Sequence, residues 1–157
     1  MRLAPFGLAW SAPLRLLAGR GVPLRAMTGD PARSPSVETD VEVAGADFEA
    51  PETLRDAVAG VEGVFLLTAP GAWVPEHDLA MISAARVGGV RKVVKLSAVG
   101  GRSSTDDGGT MPADWHAPGE RALADCGLAW AACGRLRSLP MRCAGRTRSE
   151  PDSRCRT

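Results

Sequence analysis

Residues 61–99 read VEGVFLLTAPGAWVPEHDLAMISAARVGGVRKVVKLSAV. Two apolar runs, at 62–68 and 91–97, are rich in Val, Leu and Phe and have strand length. The segment between them, 76–88, carries helical spacing of its apolar residues. Strand, helix, strand is the βαβ unit, in which the helical crossover returns the chain so that the two strands run parallel. Each run ends in a small polar residue, Thr68 and Ser97. Ligands of open parallel sheets bind at the carboxyl ends of the strands. These two residues therefore mark the edge of a candidate nucleotide-cofactor site.

Outward from this unit the alternation continues. On the N-terminal side, 12–19 puts Leu14, Leu17 and Ala18 on one helical face, with Gly19 and Gly21 as stop signals. Residues 22–28 read as a short strand, 29–36 as a loop, and 41–48 as an alternating strand. A helix is expected over 51–60, with Pro51 in its first turn, Glu52 facing the positive end of the dipole and Gly60 ending it. On the C-terminal side, 100–112 is a polar, Gly-rich loop of the kind that covers a site. A helix over 113–126 follows, kinked or divided at Pro118, and 128–132 reads as a last short strand. The expected fold is α/β, a doubly wound parallel sheet. It forms one domain over 1–132, atypical in 1–13, before a basic segment at 133–157 that lacks apolar periodicity and reads as disordered.

Composition narrows the function. The net charge of +1 hides an asymmetry, since 133–157 holds seven Arg against two acids while the body is mildly acidic. The basic segment has no aromatic residue for stacking and no recognisable module, so a specific nucleic-acid partner is not expected. No apolar run approaches the roughly 20 residues that cross a bilayer, which argues against a membrane role. Cys126, Cys133, Cys143 and Cys155 match no C-x-x-C pattern and read as free thiols of a cytoplasmic protein. The two histidines, His77 and His116, have no ligand-spaced partners, so no metal site is expected.

With the elements placed, the chain resembles the NmrA-like family, atypical short-chain dehydrogenase relatives with an NAD(P)-binding Rossmann fold. The resemblance runs from about Leu14 to Trp130. It rests on the order and spacing of LLAGRGVPLRAMTGDPAR, VEVAGADFEAPETLRDAVAGVEGVFLLTAP, AARVGGVRKVVKLSAVG and HAPGERALADCGLAW. Both ends depart from the family. Its first strand and Gly-rich turn, which bring backbone N–H groups to the pyrophosphate, are replaced by MRLAPFGLAWSAP, with Gly7 as the only glycine. After GLAW the family continues into a substrate-binding region, where this chain reads AACGRLRSLPMRCAGRTRSEPDSRCRT. Such ends are what a frameshifted or decayed gene yields, with the first strand degraded and the substrate region missing.

The resemblance implies roles for individual residues. Arg33 matches a basic position that meets the 2′-phosphate of NADP, whereas Gly29 stands where relatives carry an arginine. Asp47 and Phe48 match the loop along the adenine, and Thr68, Ala69 and Pro70 the loop along ribose and pyrophosphate. Ser97 matches the strand-end serine of ordinary short-chain dehydrogenases. Those enzymes use a tyrosine as acid, and this chain has no Tyr. His116 and Glu120 match an HxxxE pattern and share a helix face. The implied roles are proton donor for His116 and fixer of its tautomer for Glu120. Lys95 lies on the same strand face as Ser97 and has two readings, a cation near the cofactor and, more simply, a lysine at a sheet edge.

The implied cofactor is NADP or NAD. The implied reaction is hydride transfer to a quinone-like or other small electrophilic acceptor. Two rivals stand beside it: a noncatalytic redox sensor that binds the dinucleotide, and a nonfunctional remnant.

Overall fold

The computed structural model describes residues 17, 20–33, 41–97, 112–134, 142–146 and 153–154. Contacts divide the chain into two compact units, Met1–Ala57 and Val58–Thr157. The expected helix over 12–19 lies outside the described residues except for Leu17, which is helical. The altered N-terminal turn and the loop at 100–112 also lie outside them, apart from the helix start at Pro112.

In the first unit, β1 (Leu24–Thr28) and β2 (Val41–Gly45) pair in parallel, from Leu24 opposite Val41 to Thr28 opposite Gly45. A single 3-10 turn, Pro31–Arg33, follows β1. Helix α1 (Pro51–Val58) begins where Thr53 Oγ1 accepts the Asp47 N–H (2.9 Å) and donates to the Ala50 carbonyl (2.6 Å). Its Leu54 and Ala57 are buried, as are Ala26 of β1 and Ala46 after β2. Arg25 pairs with Glu42 across the strands (2.9 Å) and donates from Nη1 to the Ala57 carbonyl (3.0 Å). One side chain thereby ties β1, β2 and the end of α1 together.

The second unit carries β3 (Gly63–Leu66), α2 (Val74–Val87), β4 (Lys92–Ser97), α3 (Pro112–Asp125) and β5 (Ala129–Gly134). The strands are parallel and lie side by side in chain order, β3–β4–β5. Crossovers of the usual right hand that step in the same direction put their helices on one face of a sheet. Helices α2 and α3 accordingly pack against each other. Helix α3 runs as one element through Pro118 rather than dividing there. Together the parallel ladders and helical crossovers make a Rossmann-like α/β fold, with no described strand joining β1–β2 to β3–β4–β5.

The segment from 133 onward reads as disordered from its sequence; within it the described residues carry the end of β5, to Gly134, and two further strands. These are β6 (Arg142–Arg146), antiparallel to β5, and β7 (Ser153–Arg154), antiparallel to β6. The physical reason is the open edge of β5, whose outward backbone groups take a partner strand. Free thiols were expected throughout, yet Cys133 is disulfide-bonded, while Cys126 is free. The β5–β6 register sets Cys133 directly opposite Cys143, a juxtaposition that the ten-residue spacing does not announce.

Candidate active site

The second unit gathers four of the expected site residues and adds Lys95, which the sequence reading set at a sheet edge, and Asp78, which it did not single out. Strand β4 alternates, with Val93, Lys95 and Ser97 buried on one face. Lys95 is 0% exposed. It is not at a sheet edge as expected, because β4 is paired on both sides, with β3 and with β5. Helix α2 presents Val74, Asp78, Met81, Ile82 and Ala85 as its buried stripe. Asp78 falls in that apolar phase and is also 0% exposed.

The two buried charges meet. Lys95 Nζ lies 2.7 Å from Asp78 Oδ2, and Thr68, just after β3, donates its hydroxyl to Asp78 Oδ1 at 2.6 Å. A carboxylate and an ammonium taken out of water are tolerated only when paired and hydrogen-bonded. Thr68 and Lys95 together meet that requirement for Asp78. Gly119 of α3 makes the helix approach possible. A Cβ there would stand 2.6 Å from Asp78 Oδ2 and 2.9 Å from Asp78 Cβ, so any larger residue would drive α3 away from α2.

His116, on the first half of α3 and 9% exposed, completes the cluster. Its Nδ1 is 2.8 Å from Lys95 Nζ, which also reaches the Leu96 carbonyl at 3.4 Å. An ammonium has three donors and no acceptor. Nδ1 must therefore accept, and the ring proton sits on Nε2. Burial holds the imidazole below its ordinary pKa, and the neighbouring Lys95 charge lowers it further, against smaller opposite effects of Asp78 and Glu120. The ring is thus a neutral Nε2–H imidazole, and its 4.0 Å approach to Asp78 Oδ2 is not an ion pair.

This arrangement corrects the role given to Glu120. The carboxylate does not fix the His116 tautomer: Ser97 donates to Glu120 Oε1, and Lys95 holds the ring. The i, i+4 spacing correctly put His116 and Glu120 on one helix face, but the two side chains take different partners from β4.

The remaining expected residues are not brought into this cluster. Ala69 and Pro70 follow Thr68 in the loop before α2. In the same loop a Cβ at Gly71 would run into the Trp73 ring, so that indole is used in the loop's own packing. Asp47 and Phe48 follow β2 in the first unit, where Asp47 Oδ1 accepts the Glu49 N–H at 2.9 Å. Arg33 closes the 3-10 turn after β1.

The donor set suits the group that the fold family implies. Small residues follow β3 at its carboxyl end, and a neutral N–H donor backed by a buried cation stands near the carboxyl end of β4. A nicotinamide and an acceptor of its hydride need close approach and a proton source, and not a further fixed charge at the reacting atoms.

Comparisons with known proteins agree. The family model described as NAD(P)H-binding matches residues 13–132. An NAD(P)H azoreductase from Xenophilus azovorans is 27% identical over 125 residues, 79% of this chain and 43% of that protein. The NADPH-dependent quinone oxidoreductase QOR2 of Escherichia coli, solved with NADPH, superposes with a TM-score of 0.62 at 24% identity. The match covers 74% of this chain and 42% of that one. The triphenylmethane reductase of Citrobacter sp., solved with NADP(H), has a TM-score of 0.64 at 20% identity and covers 79% and 44%. The chain spans less than half the length of these relatives. Among the described residues no helix is long and apolar enough to cross a membrane.

Proposed function

Because the chain belongs to the NAD(P)H-binding family, we propose that it is an NmrA-like oxidoreductase that reduces a quinone-like or other small electrophilic acceptor. The cofactor is NAD(P)H, which supplies a hydride when bound. The observation that supports the activity most is a neutral His116 held as its Nε2–H tautomer by a buried cation, close to the carboxyl ends of β3 and β4. A quinone or an azo group that gains a hydride becomes an anion and needs a proton. His116 Nε2–H is the proposed donor, and general acid catalysis of this kind contributes about 10²–10⁴-fold.

The other residues have binding roles in this reading. Thr68, Ala69, Pro70 and Ser97 would line the ribose and pyrophosphate side of the dinucleotide. Arg33, Asp47 and Phe48 would serve its adenosine end. The hydroxyls of Thr68 and Ser97 are already given to Asp78 and Glu120. Both residues therefore shape the site by small size and fixed position, without donating to the ligand.

The test is titration of the purified chain with NADPH and with NADH, followed by nucleotide fluorescence and thermal shift. Acceptors are then screened among quinones, azo dyes and triphenylmethane dyes. Saturation at a hundredfold excess over Kd stabilises by about 2.7 kcal/mol. Turnover that falls at least 10²-fold in His116→Ala supports the reading. Binding without turnover on any acceptor would make the chain a dinucleotide sensor instead.

A further inference from the structure

A neutral imidazole has one N–H. If His116 gives that proton away at Nε2, the ring is left as an imidazolate unless Nδ1 gains a proton in the same event. A buried imidazolate beside the carboxylates of Asp78 and Glu120 is not a tenable product. The only donor that the described residues place on Nδ1 is Lys95 Nζ, at 2.8 Å. We propose that Lys95 resupplies through Nδ1 the proton that His116 gives up at Nε2, with Asp78 and Thr68 holding the ammonium in line.

The proposal rests on the oxidoreductase reading above. The step balances as follows. Hydride from the reduced nicotinamide dinucleotide adds to the acceptor and carries both electrons. The Nε2–H bond breaks and its proton joins the acceptor anion. One Nζ–H bond breaks as Nδ1–H forms, which leaves a neutral His116 in the opposite tautomer and Lys95 as an amine. A proton from solvent then joins Nε2 as Nδ1–H returns its proton to the Lys95 amine, which restores the ammonium and the Nε2–H tautomer together. The groups that face the ring come from three elements: Lys95 on β4, Asp78 on α2, and Glu120 on α3 itself. Of these, only Lys95 both touches Nδ1 and has a proton to give.

This relay separates Lys95 from a purely structural counter-ion of Asp78. Both roles need the positive charge, and only the relay needs a proton that can leave. Lys95→Arg keeps a charge that is never released at ordinary pH. The double variant Asp78→Leu with Lys95→Met removes the buried pair altogether and leaves no lone charge to unfold the protein.

The experiment combines two readouts on the full chain. The first is ¹⁵N NMR of labelled histidine without nucleotide, and the second is NAD(P)H oxidation with a quinone. The expected result is Nε2–H in the wild type and loss of that tautomer preference in the double variant. Turnover should fall about 10²-fold or more in both variants, while nucleotide Kd stays within about threefold. Wild-type spectra that place the proton on Nδ1 would overturn the relay. Turnover in Lys95→Arg or in the double variant within threefold of wild type would also overturn it, and would leave the oxidoreductase reading standing. A wild-type protein with the Nε2–H tautomer and no turnover on any acceptor would overturn the oxidoreductase reading, and the relay with it.

Discussion

Each unit of the molecule has a basic side chain on a strand paired with a carboxylate, and the two pairs live in different media. Arg25 and Glu42 lie side by side on β1 and β2, with side-chain exposures of 26% and 61%. Lys95 and Asp78 come from a strand and a helix and are both at 0%. In the first pair water competes for each charge, so removing one partner leaves the other solvated. In the second pair the partner is the only large compensation for a desolvation cost of several kcal/mol per ion. The same chemical pairing therefore ties surface elements together in one unit and compensates two buried charges in the other.

Four outcomes would break or sharpen this contrast. Lys95→Met should destabilise by about 3–5 kcal/mol because Asp78 is left buried and unpaired, and adding Asp78→Leu should recover most of the loss. Chemical denaturation of the wild type and the two variants measures it, and a double variant as unstable as the single would mean that packing, not charge, sets the cost. Gly119→Ala should cost about 1–3 kcal/mol, since the new Cβ meets Asp78 where α3 crosses α2. Its thermal melt would lie near the wild type if the helices can part freely.

A third outcome concerns pH. His116 in the folded protein is held below its ordinary value by burial and by Lys95, so the unfolded chain binds this proton more readily. The stabilisation is fully present above about pH 6.5, the ordinary value of histidine. It is lost as the pH falls through that value toward the lowered folded one. A denaturation series from pH 7.5 to 5 should show the decline, and His116→Gln should flatten it. The smallest effect is expected at the exposed pair Arg91–Glu62, where side-chain exposures are 60% and 72%. Arg91→Ala should change stability by no more than about 0.5 kcal/mol, and a larger loss would show that the contrast between exposed and buried pairs is too sharply drawn.

The alternation of β-type and helical periods in 41–97 and 112–134 was legible in the sequence because each element buries one face. The placement of Thr68 and Ser97 at strand ends followed from it. His116 and Glu120 were legible as a pair on one helix face, but their partners were not, since those come from β4. Asp78 was missed and Lys95 was set at a sheet edge, although a signal was present. Lys95 alternates in phase with Val93, and Asp78 falls in phase with Val74, Met81, Ile82 and Ala85. A charge in the apolar phase of a strand and an opposite charge in the apolar phase of the adjoining helix call for each other. Reading one without the other made each look like a surface residue. The strands β6 and β7 gave no such signal, because their pairing satisfies the open edge of β5 and not an apolar periodicity of their own.

Because β3, β4 and β5 pair in chain order, the site can assemble in the order in which the chain leaves the ribosome. Each new strand docks on the one made just before it, over a single crossover, so the contacts that form are short in sequence. Asp78 on α2 stays in water until β4 arrives with Lys95. His116 joins last, when α3 packs and β5 pairs with β4. At no stage along this route must the carboxylate be buried without its ammonium.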